Sequence, residues 1–553
     1  MSTRRSILTS ALALTSAQVA IGAGVSAGTS AGPAGASDTA LNSSGDVRRY
    51  GLIPNRADAA AENTRKLKAL IAPDGILRGN ISFPNSGGGD VYHLNDIIAF
   101  RDGTHIDLQG STLHFHKTGE KSDTNSGFVF AVRDFSIVNG SIVVDYQMGG
   151  GGTNAGNALA FGNRGTDSSY FSPTYDSLLS SPMGNIVVRN IRIASNTKGG
   201  NGIFLIGGLN GVVLENVWID GGGVLGSGIY YEFGWATNEP QMAMRQTSHA
   251  YNMRFSNINI SNISTENGQA LGLTGAYNCW VDGLYVNSAK ILLQCSPGES
   301  AFYRPWARVD QIGAKRNIAI RNIVGAGITG TAIVIAGASA KTSGYLHVTQ
   351  NTAANQTDLI DCSIDGFAVD GANLDGGYGI HSSAEKMDLR NGRITNFSRG
   401  IVTTDECTRM TIESVDLFGN GQCGMEIGQQ SSIWNPPRQK MGFIRNCFIA
   451  GNSVSAPGRF AAIELDACAA FVVEGNRFGY EAAHDGVHET TQGPSVRIGA
   501  RANNVVCRSN HTGGVRDGEI AFVSQSADPA RGNVLEHHSG IASVAGAWGR
   551  AGS

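Results

Sequence analysis

Short segments in which apolar and polar residues alternate recur along this chain, and many of them end at an asparagine. Ile186-Val-Val-Arg-Asn190 and Val212-Val-Leu-Glu-Asn216 are two examples. Similar segments end at Asn257, Asn322, Asn391, Asn446, Asn476 and Asn510. An apolar period of two residues predicts strands rather than helices. The clearest intervals between the segments, roughly 22–30 residues, are typical of a solenoid built from repeated coils.

A second apolar segment precedes each of these phrases and usually begins at glycine or another small residue. Gly202-Ile-Phe-Leu-Ile206, Gly228-Ile-Tyr-Tyr-Glu232 and Gly400-Ile-Val-Thr403 are examples. A third short strand follows the asparagine, as in Trp218-Ile-Asp220. Three short strands in each repeat, with no helical period between them, predict a parallel β-helix.

The recurring asparagine has a structural explanation. Asparagine tolerates the left-handed backbone conformation that a tight corner requires. Stacked asparagine side chains can also satisfy one another's hydrogen bonds between coils. We therefore expect the asparagine series to be structural, with Gly283, Ser363 and Ser414 in the same place in variant coils.

The composition agrees with a long array of strands and tight turns. The 553 residues include 75 Gly, and 16% of residues are charged, compared with usual shares of about 7% and roughly 25%. The apolar content of 41% excludes an intrinsically disordered chain. The net charge of −3 lacks the basic excess of nucleic-acid-binding proteins, so we expect no nucleic-acid partner.

The cysteines predict neither a redox motif nor a zinc site, because no CxxC pair occurs among the eight. Four of them fall in apolar, strand-like segments, where a buried thiol behaves as a small hydrophobic group. These four are Cys295, Cys362, Cys447 and Cys507. A disulfide between Cys407 and Cys423 stays open as an alternative.

Residues 1–40 have the features of an export signal. Arg4-Arg5 precede an apolar run from Ile7 to Ile21, and Ala34-Gly35-Ala36 is a small-residue cleavage site. Because the arginines are adjacent, we favour the twin-arginine type over a general secretion signal. No later segment approaches the roughly 20 apolar residues of a membrane span. We expect an exported, periplasmic or extracellular protein without membrane insertion.

After this signal the chain carries Asp46-Val-Arg-Arg-Tyr-Gly51, a helical segment from Asn63 to Ile71, Ile81-Ser-Phe83-Pro84 and Ile106-Asp-Leu-Gln-Gly110. Together with the repeated coils, these segments resemble the pectin-lyase-like superfamily over roughly residues 46–525. That superfamily includes polysaccharide lyases, polygalacturonases, alginate epimerases and phage tailspikes. The resemblance implies an all-β fold, a single-stranded right-handed parallel β-helix with an N-terminal capping helix. The cap covers a terminal coil that would otherwise expose a sheet edge.

The resemblance divides the chain into four regions. The signal peptide, 1–40, is followed by the cap and first coils, 41–120, the β-helix, 121–525, and a C-terminal tail, 526–553. The catalytic motifs of two families are absent. The chain lacks Asn-Thr-Asp, Asp-Asp, Gly-His-Gly and Arg-Ile-Lys of polygalacturonases and Asp-Pro-His of alginate epimerases. A site must therefore be argued from geometry.

Alternation on the glycine-opened strand predicts a column of outward residues along one face. The predicted members are Phe204, Tyr230, Glu232, Gly272, Thr274, Leu292, Gln294, Val334, His381, Ser383, Glu426, Glu464, Asp466 and Arg497. Long insertions follow this same strand at about 164–184, 234–250, 296–315, 337–356 and 428–440. Loops stacked along a flat face form a groove that suits an extended polymer.

Two of these insertions carry residues suited to binding glycans. The candidates are Trp235, Glu239, Arg245 and His249 in the first insertion, and Tyr303, Arg304, Trp306 and Arg308 in the second. Aromatic side chains suit sugar faces, and guanidinium groups bind carboxylates through two parallel hydrogen bonds. Self-packed loops anchored by the aromatic residues are the alternative.

Tyr230 and Glu232 are the sharpest catalytic candidates, because both should project from a rigid strand at the floor of the groove. A glycoside hydrolase would need a second carboxylate about 5–10 Å away, and Glu239 or Asp220 could supply it. A solvated outward glutamate and a stacked tyrosine are the structural alternatives.

A lyase would instead need a base and a nearby cation, since it removes a proton beside a uronate carboxylate. Tyr230 or His249 could be the base, and Arg245 or Arg254 the cation. The sequence therefore predicts an exported polysaccharide-cleaving enzyme. A lyase is slightly favoured, because arginines and aromatics outnumber carboxylates in the two loops. A hydrolase, a uronate epimerase and a non-catalytic glycan-binding protein are the alternatives.

No metal or other cofactor is predicted. His114 and His116 alternate on one strand, and His484 and His488 lie four residues apart, but neither pair has a third ligand in sequence. The aspartates between 358 and 375 lack an EF-hand pattern, so solvated turns explain them and calcium is not indicated.

Glu426, Glu464 and Asp466 are expected to be solubilising groups on an exposed face, with a second site beside Trp434 as the alternative.

Overall fold

The computed structural model describes residues 45–553 with several gaps. The residues outside the description are 73, 78, 119–126, 132, 148–155, 163–182, 207–208, 233–250, 275, 297–315, 336–359, 385, 405–406, 408, 430–439, 480–492, 513–521, 526–531, 537–543, 547 and 549–553. In the described part, no helix has both the length and the apolar character needed to cross a membrane.

One short helical region precedes the strands. Two 3-10 turns, Val47–Tyr50 and Ala57–Ala59, lead into helix α1, Ala60–Ile71. The buried residues of α1 follow helical spacing and include Asn63, Leu67 and Ile71. The Asn63 amide binds the backbone of Ile53 through both N–H and C=O and also donates to the His93 carbonyl. The predicted N-terminal helix is confirmed.

The first sheet contains nineteen of the described strands. They are β1 (Asn80–Ser82), β2 (Val91–Leu94), β4 (His105–Asp107), β5 (Thr112–Thr118), β7 (Phe135–Gln147), β9 (Met183–Ser195), β11 (Leu209–Leu225), β13 (Tyr251–Ile263), β15 (Tyr277–Ala289), β17 (Arg316–Ile328), β19 (Ile360–Gly371), β21 (Lys386–Thr395), β23 (Arg409–Phe418), β25 (Lys440–Arg445), β26 (Phe448–Ala450), β28 (Cys468–Glu474), β29 (Arg477–Phe478), β31 (Asn503–Arg508) and β33 (Val534–Glu536). Neighbouring strands pair in parallel.

The second sheet contains fifteen of the described strands, also paired in parallel. They are β3 (Ile98–Ala99), β6 (Gly127–Ala131), β8 (Asn157–Gly162), β10 (Asn201–Ile206), β12 (Ser227–Glu232), β14 (Gln269–Thr274), β16 (Ile291–Ser296), β18 (Ile333–Ile335), β20 (Tyr378–Ser382), β22 (Arg399–Thr404), β24 (Met425–Gln429), β27 (Ile463–Leu465), β30 (Val496–Ile498), β32 (Phe522–Ser524) and β34 (Val544–Ala545). Two all-parallel sheets whose strands alternate along the chain confirm the predicted parallel β-helix.

Left-handed corners bend the long strands of the first sheet. Asn190, Asn216 and Asn257 have φ values of 54°, 53° and 54°. Each donates its side-chain amide to the asparagine or other acceptor of the preceding coil, as Asn216 does to Asn190 over 3.0 Å and Asn257 to Asn216 over 3.0 Å. The predicted structural role of these asparagines is confirmed. Each of these corners therefore lies between two segments that the sequence shows as separate short strands.

Three positions of the series differ from the prediction. The corner expected at Ser363 lies instead at Gly366, where φ is 72°. In the later coils Gly475 and Ser509 take the left-handed conformation. Asn476 and Asn510 follow them and are fully buried, where Asn476 donates to Asn510 and to the carbonyl of Ile444. A glycine or serine turns these corners, so the next asparagine is free to bind backbone groups inside.

The core is a continuous column of apolar side chains between the sheets. The glycines that open the second-sheet strands face this core, since a Cβ on Gly202 would lie 2.8 Å from the Ile219 side chain. Leu292, predicted to face outward, occupies the same place in its coil and is fully buried. Leu292 fits in the core because Gly325, opposite it, has no side chain to occupy the same space. A Cβ on Gly325 would lie 2.0 Å from a Leu292 methyl.

All eight cysteines lie in the described part of the chain, and all are free and buried. The alternative of a disulfide between Cys407 and Cys423 is therefore wrong for this structure. Burial raises the pKa of Cys507 to about 12. The thiols act as small apolar core groups, as predicted from their strand positions.

Candidate functional site

The outer face of the second sheet carries a column of side chains held in register from strand to strand, which we call the outer column. Its members are Phe204, Tyr230, Gly272, Gln294, Val334, His381, Val402, Glu426, Glu464 and Arg497. At about 4.8 Å per strand, the nine steps from β10 to β30 span about 43 Å. Two predicted members do not belong to the column, because Leu292 faces the core and Ser383 follows the end of β20 and is buried.

The insertions predicted beside this column connect the two sheets. Each follows a second-sheet strand and precedes a first-sheet strand, as between β12 and β13 or between β16 and β17. Their central residues lie outside the described part of the chain. This holds for the predicted site residues Trp235, Glu239, Arg245, His249, Tyr303, Arg304, Trp306 and Arg308, and for Trp434, His484 and His488.

One end of the outer column, which we call the aromatic end, is formed by Phe204 and Tyr230. Their rings stack with centroids 5.8 Å apart and planes only 3° from parallel. Phe204 is buried, and the half-buried Tyr230 packs on the core. Gly272 leaves room on the next strand, since a Cβ there would lie 2.7 Å from a Tyr230 ring carbon. The Tyr230 ring is therefore fixed in a rigid strand.

The other described candidates lie on different parts of the coil. Glu232 ends the strand that carries Tyr230, with Ile206 and Thr274 as its register partners. Arg254 is exposed and lies in β13 of the first sheet, so it projects from a different sheet.

Asp220 also lies in the first sheet, near a corner of the coil. Its Oδ1 accepts hydrogen bonds from the Gly222 backbone and the Asn262 side chain. This carboxylate therefore supports a corner of the coil.

The opposite end, the charged end, contains two glutamates in register on neighbouring strands, Glu426 in β24 and Glu464 in β27. Arg399 Nη1 lies 2.5 Å from Glu426 Oε2, and Arg497 Nη1 lies 2.8 Å from Glu464 Oε1. The side chains of Glu426 and Glu464 are only 21% and 25% exposed. Two desolvated carboxylates therefore stand side by side between two arginines.

Further hydrogen bonds hold both arginines in place. Arg399 Nε donates to Gln422 over 2.6 Å, and its guanidinium lies 5.8 Å from the centre of the Tyr378 ring. Arg497 Nη2 donates to the Arg459 carbonyl over 3.0 Å. Glu464 also accepts from the Ala461 backbone N–H over 3.1 Å. These contacts fix the carboxylates before any ligand binds.

The two glutamates differ in their electrostatic surroundings. Burial raises the pKa of Glu426, the nearby charges of Glu464 and Asp466 raise it further, and Arg399 opposes both. Because desolvation is the largest contribution, Glu426 holds its proton to a higher pH than an exposed glutamate does. Glu464 is held by the Arg497 guanidinium and the Ala461 backbone N–H.

Two further titratable groups lie near this carboxylate pair. Asp466 forms an ion pair with Arg501, and Gly499 leaves room for it, since a Cβ there would lie 2.6 Å from Asp466 Oδ1. His381 lies two strands before Glu426 in the outer column. Burial lowers its pKa, and its ring centre lies 5.4 Å from that of Tyr378. His381 therefore stays neutral to a lower pH than an exposed histidine.

The expectation that Glu426, Glu464 and Asp466 are solubilising groups on an exposed face is wrong. All three side chains are at least half-buried, and each is paired with an arginine. The repeat already contained a sign of this, because Glu426, Glu464 and Arg497 each stand two positions after the small residue that precedes their strand. Their burial, however, depends on the neighbouring coils.

A histidine that the sequence analysis did not single out, His93, lies beside His114 and His116. His93 in β2 is the register partner of His114 in β5. His93 Nδ1 and His116 Nε2 are 2.9 Å apart, and His114 Nε2 lies 2.7 Å from an oxygen of Asp145 in β7. We call these four residues the histidine cluster. It lies on the first sheet, away from the outer column.

Comparison with known proteins gives a similarity of fold alone. No protein-family model and no curated protein sequence matches the chain. The A-module of mannuronan C-5 epimerase AlgE6 from Azotobacter vinelandii is 11% identical, with a TM-score of 0.34, over 92% of this chain and 99% of that one. Tailspike protein 3 of bacteriophage CBA120 is 11% identical, with a TM-score of 0.47, over 96% and 69%. The tailspike of E. coli bacteriophage HK620, solved with a pentasaccharide, is 11% identical, with a TM-score of 0.42, over 87% and 78%.

Proposed function

We propose that this protein is an exported enzyme that binds a polysaccharide along the outer column and hydrolyses it at the charged end. The observation that carries this proposal is the pair Glu426 and Glu464, in register on neighbouring strands and in different electrostatic surroundings. Glycoside hydrolysis needs one carboxyl group that is protonated and one that is ionised. The raised pKa of Glu426 suits the first role, and we assign the second to Glu464, the in-register neighbour that Arg497 and the Ala461 backbone hold in place.

In this mechanism Glu426 donates its proton to the leaving glycosidic oxygen, and Glu464 attacks the anomeric carbon. A covalent glycosyl–Glu464 intermediate forms, and Glu426, now ionised, removes a proton from the water that hydrolyses it. Retaining enzymes hold the two carboxyl groups about 5–5.5 Å apart. Adjacent strands lie about 4.8 Å apart, so an in-register pair supports retention of configuration.

The surrounding side chains suggest the kind of glycan. Arg399, Arg497 and Arg501 surround the carboxylates and would bind a negatively charged sugar. The aromatic end lies six strand spacings from Glu426, about 29 Å, and its rigid ring would stack on a distant sugar unit. We therefore infer an extended acidic polysaccharide as substrate. Trp235, Arg304 and the other predicted residues of the insertions would line its sides.

A lyase is the second candidate, supported by His381. Burial lowers the pKa of its imidazole, which lies two strands from Glu426 in the outer column. A neutral base of this kind could remove the proton beside a uronate carboxylate, with Arg399 stabilising the resulting charge. The sequence-based alternative places the same chemistry at Tyr230 or His249 as the base and Arg245 or Arg254 as the cation, and assigns Glu232 to a hydrolase.

The experiment that tests the proposal is incubation of the purified protein with a panel of acidic glycans. New reducing ends without absorbance near roughly 235 nm, the band of unsaturated uronates, indicate hydrolysis, and both signals together indicate a lyase. We expect Glu426→Gln and Glu464→Gln to abolish cleavage. Glu413→Gln is the matched control, because Glu413 pairs with Arg445 at a similar exposure on the first sheet.

Four results would overturn the proposal. Full activity in both glutamine variants of the charged end would exclude it. Loss of activity in Tyr230→Phe and Glu232→Gln alone would move the site to the aromatic end. Unsaturated products whose formation requires His381 would replace the hydrolase by the lyase. Retained glycan binding with no cleavage of any glycan would indicate a binding protein.

A further inference from the structure

The histidine cluster brings three imidazoles to one place on the first coils. One nitrogen from each of His93, His114 and His116 lies within 4.8 Å of the others. The three rings are half-buried and touch one another, with centroid separations of 3.7–5.2 Å. His93 Nδ1 and His116 Nε2 are close enough for a hydrogen bond in which one nitrogen carries the proton and the other accepts it.

The strands that carry these rings hold them in fixed positions. His93 alternates with the buried residues Tyr92 and Leu94, and His114 and His116 flank the buried Phe115. Asn63 of α1 binds the His93 carbonyl over 3.3 Å. The ligand side chains therefore project outward from a part of the sheet whose opposite face is core.

Asp145 supports the cluster from a third strand. Its Oδ2 accepts from His114 Nε2 at 2.7 Å and lies 3.9 Å from His116 Nδ1. Its other oxygen accepts a hydrogen bond from Asn196 over 3.0 Å. Metal-binding histidines commonly direct their second nitrogen at such a carboxylate, which orients the ring and raises its basicity.

We propose that His93, His114 and His116 bind one late first-row divalent metal ion, with zinc as the reference, and that Asp145 positions His114. Imidazole is a preferred ligand for these ions. Two nitrogens on a tetrahedral zinc ion, each about 2.0–2.1 Å from the metal, lie about 3.3 Å apart. The 2.9 Å between His93 Nδ1 and His116 Nε2 is close to this value, and a nitrogen of His114 lies within 4.8 Å of both rings' ligand nitrogens.

The bound ion would link strands that are separated in sequence. His93 belongs to β2 and the other two ligands to β5, while Asp145 extends the contact to β7. A metal bound only by the folded arrangement stabilises that arrangement. The proposal is independent of glycan cleavage, because the histidine cluster and the outer column lie on different sheets.

The test uses untagged full-length protein that has been freed of metal with a chelator. Titration with Zn2+ by calorimetry should show one ion per chain, and Co2+ should give the visible absorption of a tetrahedral nitrogen site. Zinc should also raise the melting temperature. We expect His93→Gln and His116→Gln to abolish saturable binding, and Asp145→Asn to weaken it about 10–100-fold.

His105→Gln is the matched control. His105 lies on β4 of the same sheet, is exposed, and contacts Ser136 instead of the cluster. The His105→Gln variant should bind zinc with the affinity of the unchanged protein. Equal affinity in His93→Gln and the unchanged protein would overturn the proposal, as would a melting temperature that zinc leaves unchanged. If His93→Gln does not fold, the more exposed His116 decides by the same criteria.

Discussion

The two ends of the outer column share one sheet and one register, and yet they differ in chemistry. At the aromatic end, Tyr230 stacks on Phe204 and packs on the core. At the charged end, the same register positions hold Glu426 and Glu464, each paired with an arginine. A parallel β-helix repeats the same backbone in each coil. The chemical difference between the two ends therefore comes from single side chains at equivalent positions.

The largest expected effect is at the charged end. Glu426→Gln removes the proposed proton donor while keeping the shape of the side chain, so the rate of cleavage should fall roughly 10²–10⁴-fold. The measurement is the initial rate of reducing-end formation on the active glycan. Glu413→Gln, on the first sheet, should keep the rate of the unchanged protein. Equal losses in the two variants would point to a general effect of removing a buried ion pair.

A second prediction concerns pH. Arg399 lowers the pKa of Glu426 and opposes the effect of burial, so Arg399→Gln should raise this pKa further. The proton donor then stays protonated to a higher pH, and the alkaline limb of the pH–rate profile should move to higher pH. The profile of kcat against pH measures this shift. Movement in the opposite direction would show that Glu426 is not the acid.

A third prediction concerns the aromatic end. Tyr230→Ala removes a fixed aromatic ring about 29 Å from Glu426, so we expect KM to rise about tenfold with little change in kcat. Trp280→Ala, which removes a 48% exposed ring from the first sheet, is the control and should leave KM unchanged. A large loss of kcat in Tyr230→Ala would instead place chemistry at the aromatic end.

The smallest expected effect on activity comes from the corner asparagines, which support both ends equally. Asn216→Ala places alanine at φ 53° and removes the bonds to Asn190 and Asn257. We expect a loss of about 1–3 kcal/mol in the free energy of unfolding, measured with denaturant, and an unchanged kcat. Asn216→Gly keeps the backbone conformation accessible and should recover part of the loss. No loss of stability in Asn216→Ala would contradict the structural role.

The sequence alone could predict the fold because its signal is local and repeated. Each apolar–polar alternation and each corner asparagine, such as Asn190, reports on its own coil. Prediction from one strand fails where a large side chain in that strand is accommodated by a small residue in another. Leu292 faces inward because Gly325 in the following strand leaves it the volume, and that compensation cannot be seen from alternation within either strand.

The candidate site was harder to predict because burial and pairing depend on several coils at once. Glu426 is desolvated by its neighbours, and its partner Arg399 comes from the preceding strand of the sheet. Likewise, His93 meets His116 only through the register of β2 on β5. The insertions that carried most of the predicted residues have irregular sequences, in which no periodicity fixes the position of a side chain.

The central claim, that the charged end is the catalytic site, is tested most directly by a crystal structure of Glu464→Gln with an oligosaccharide of the active glycan. We predict sugar units along the outer column, with a glycosidic oxygen within hydrogen-bond reach of Glu426, about 2.6–3.2 Å. An oligosaccharide bound only at the aromatic end, with no sugar near Glu426, would contradict it.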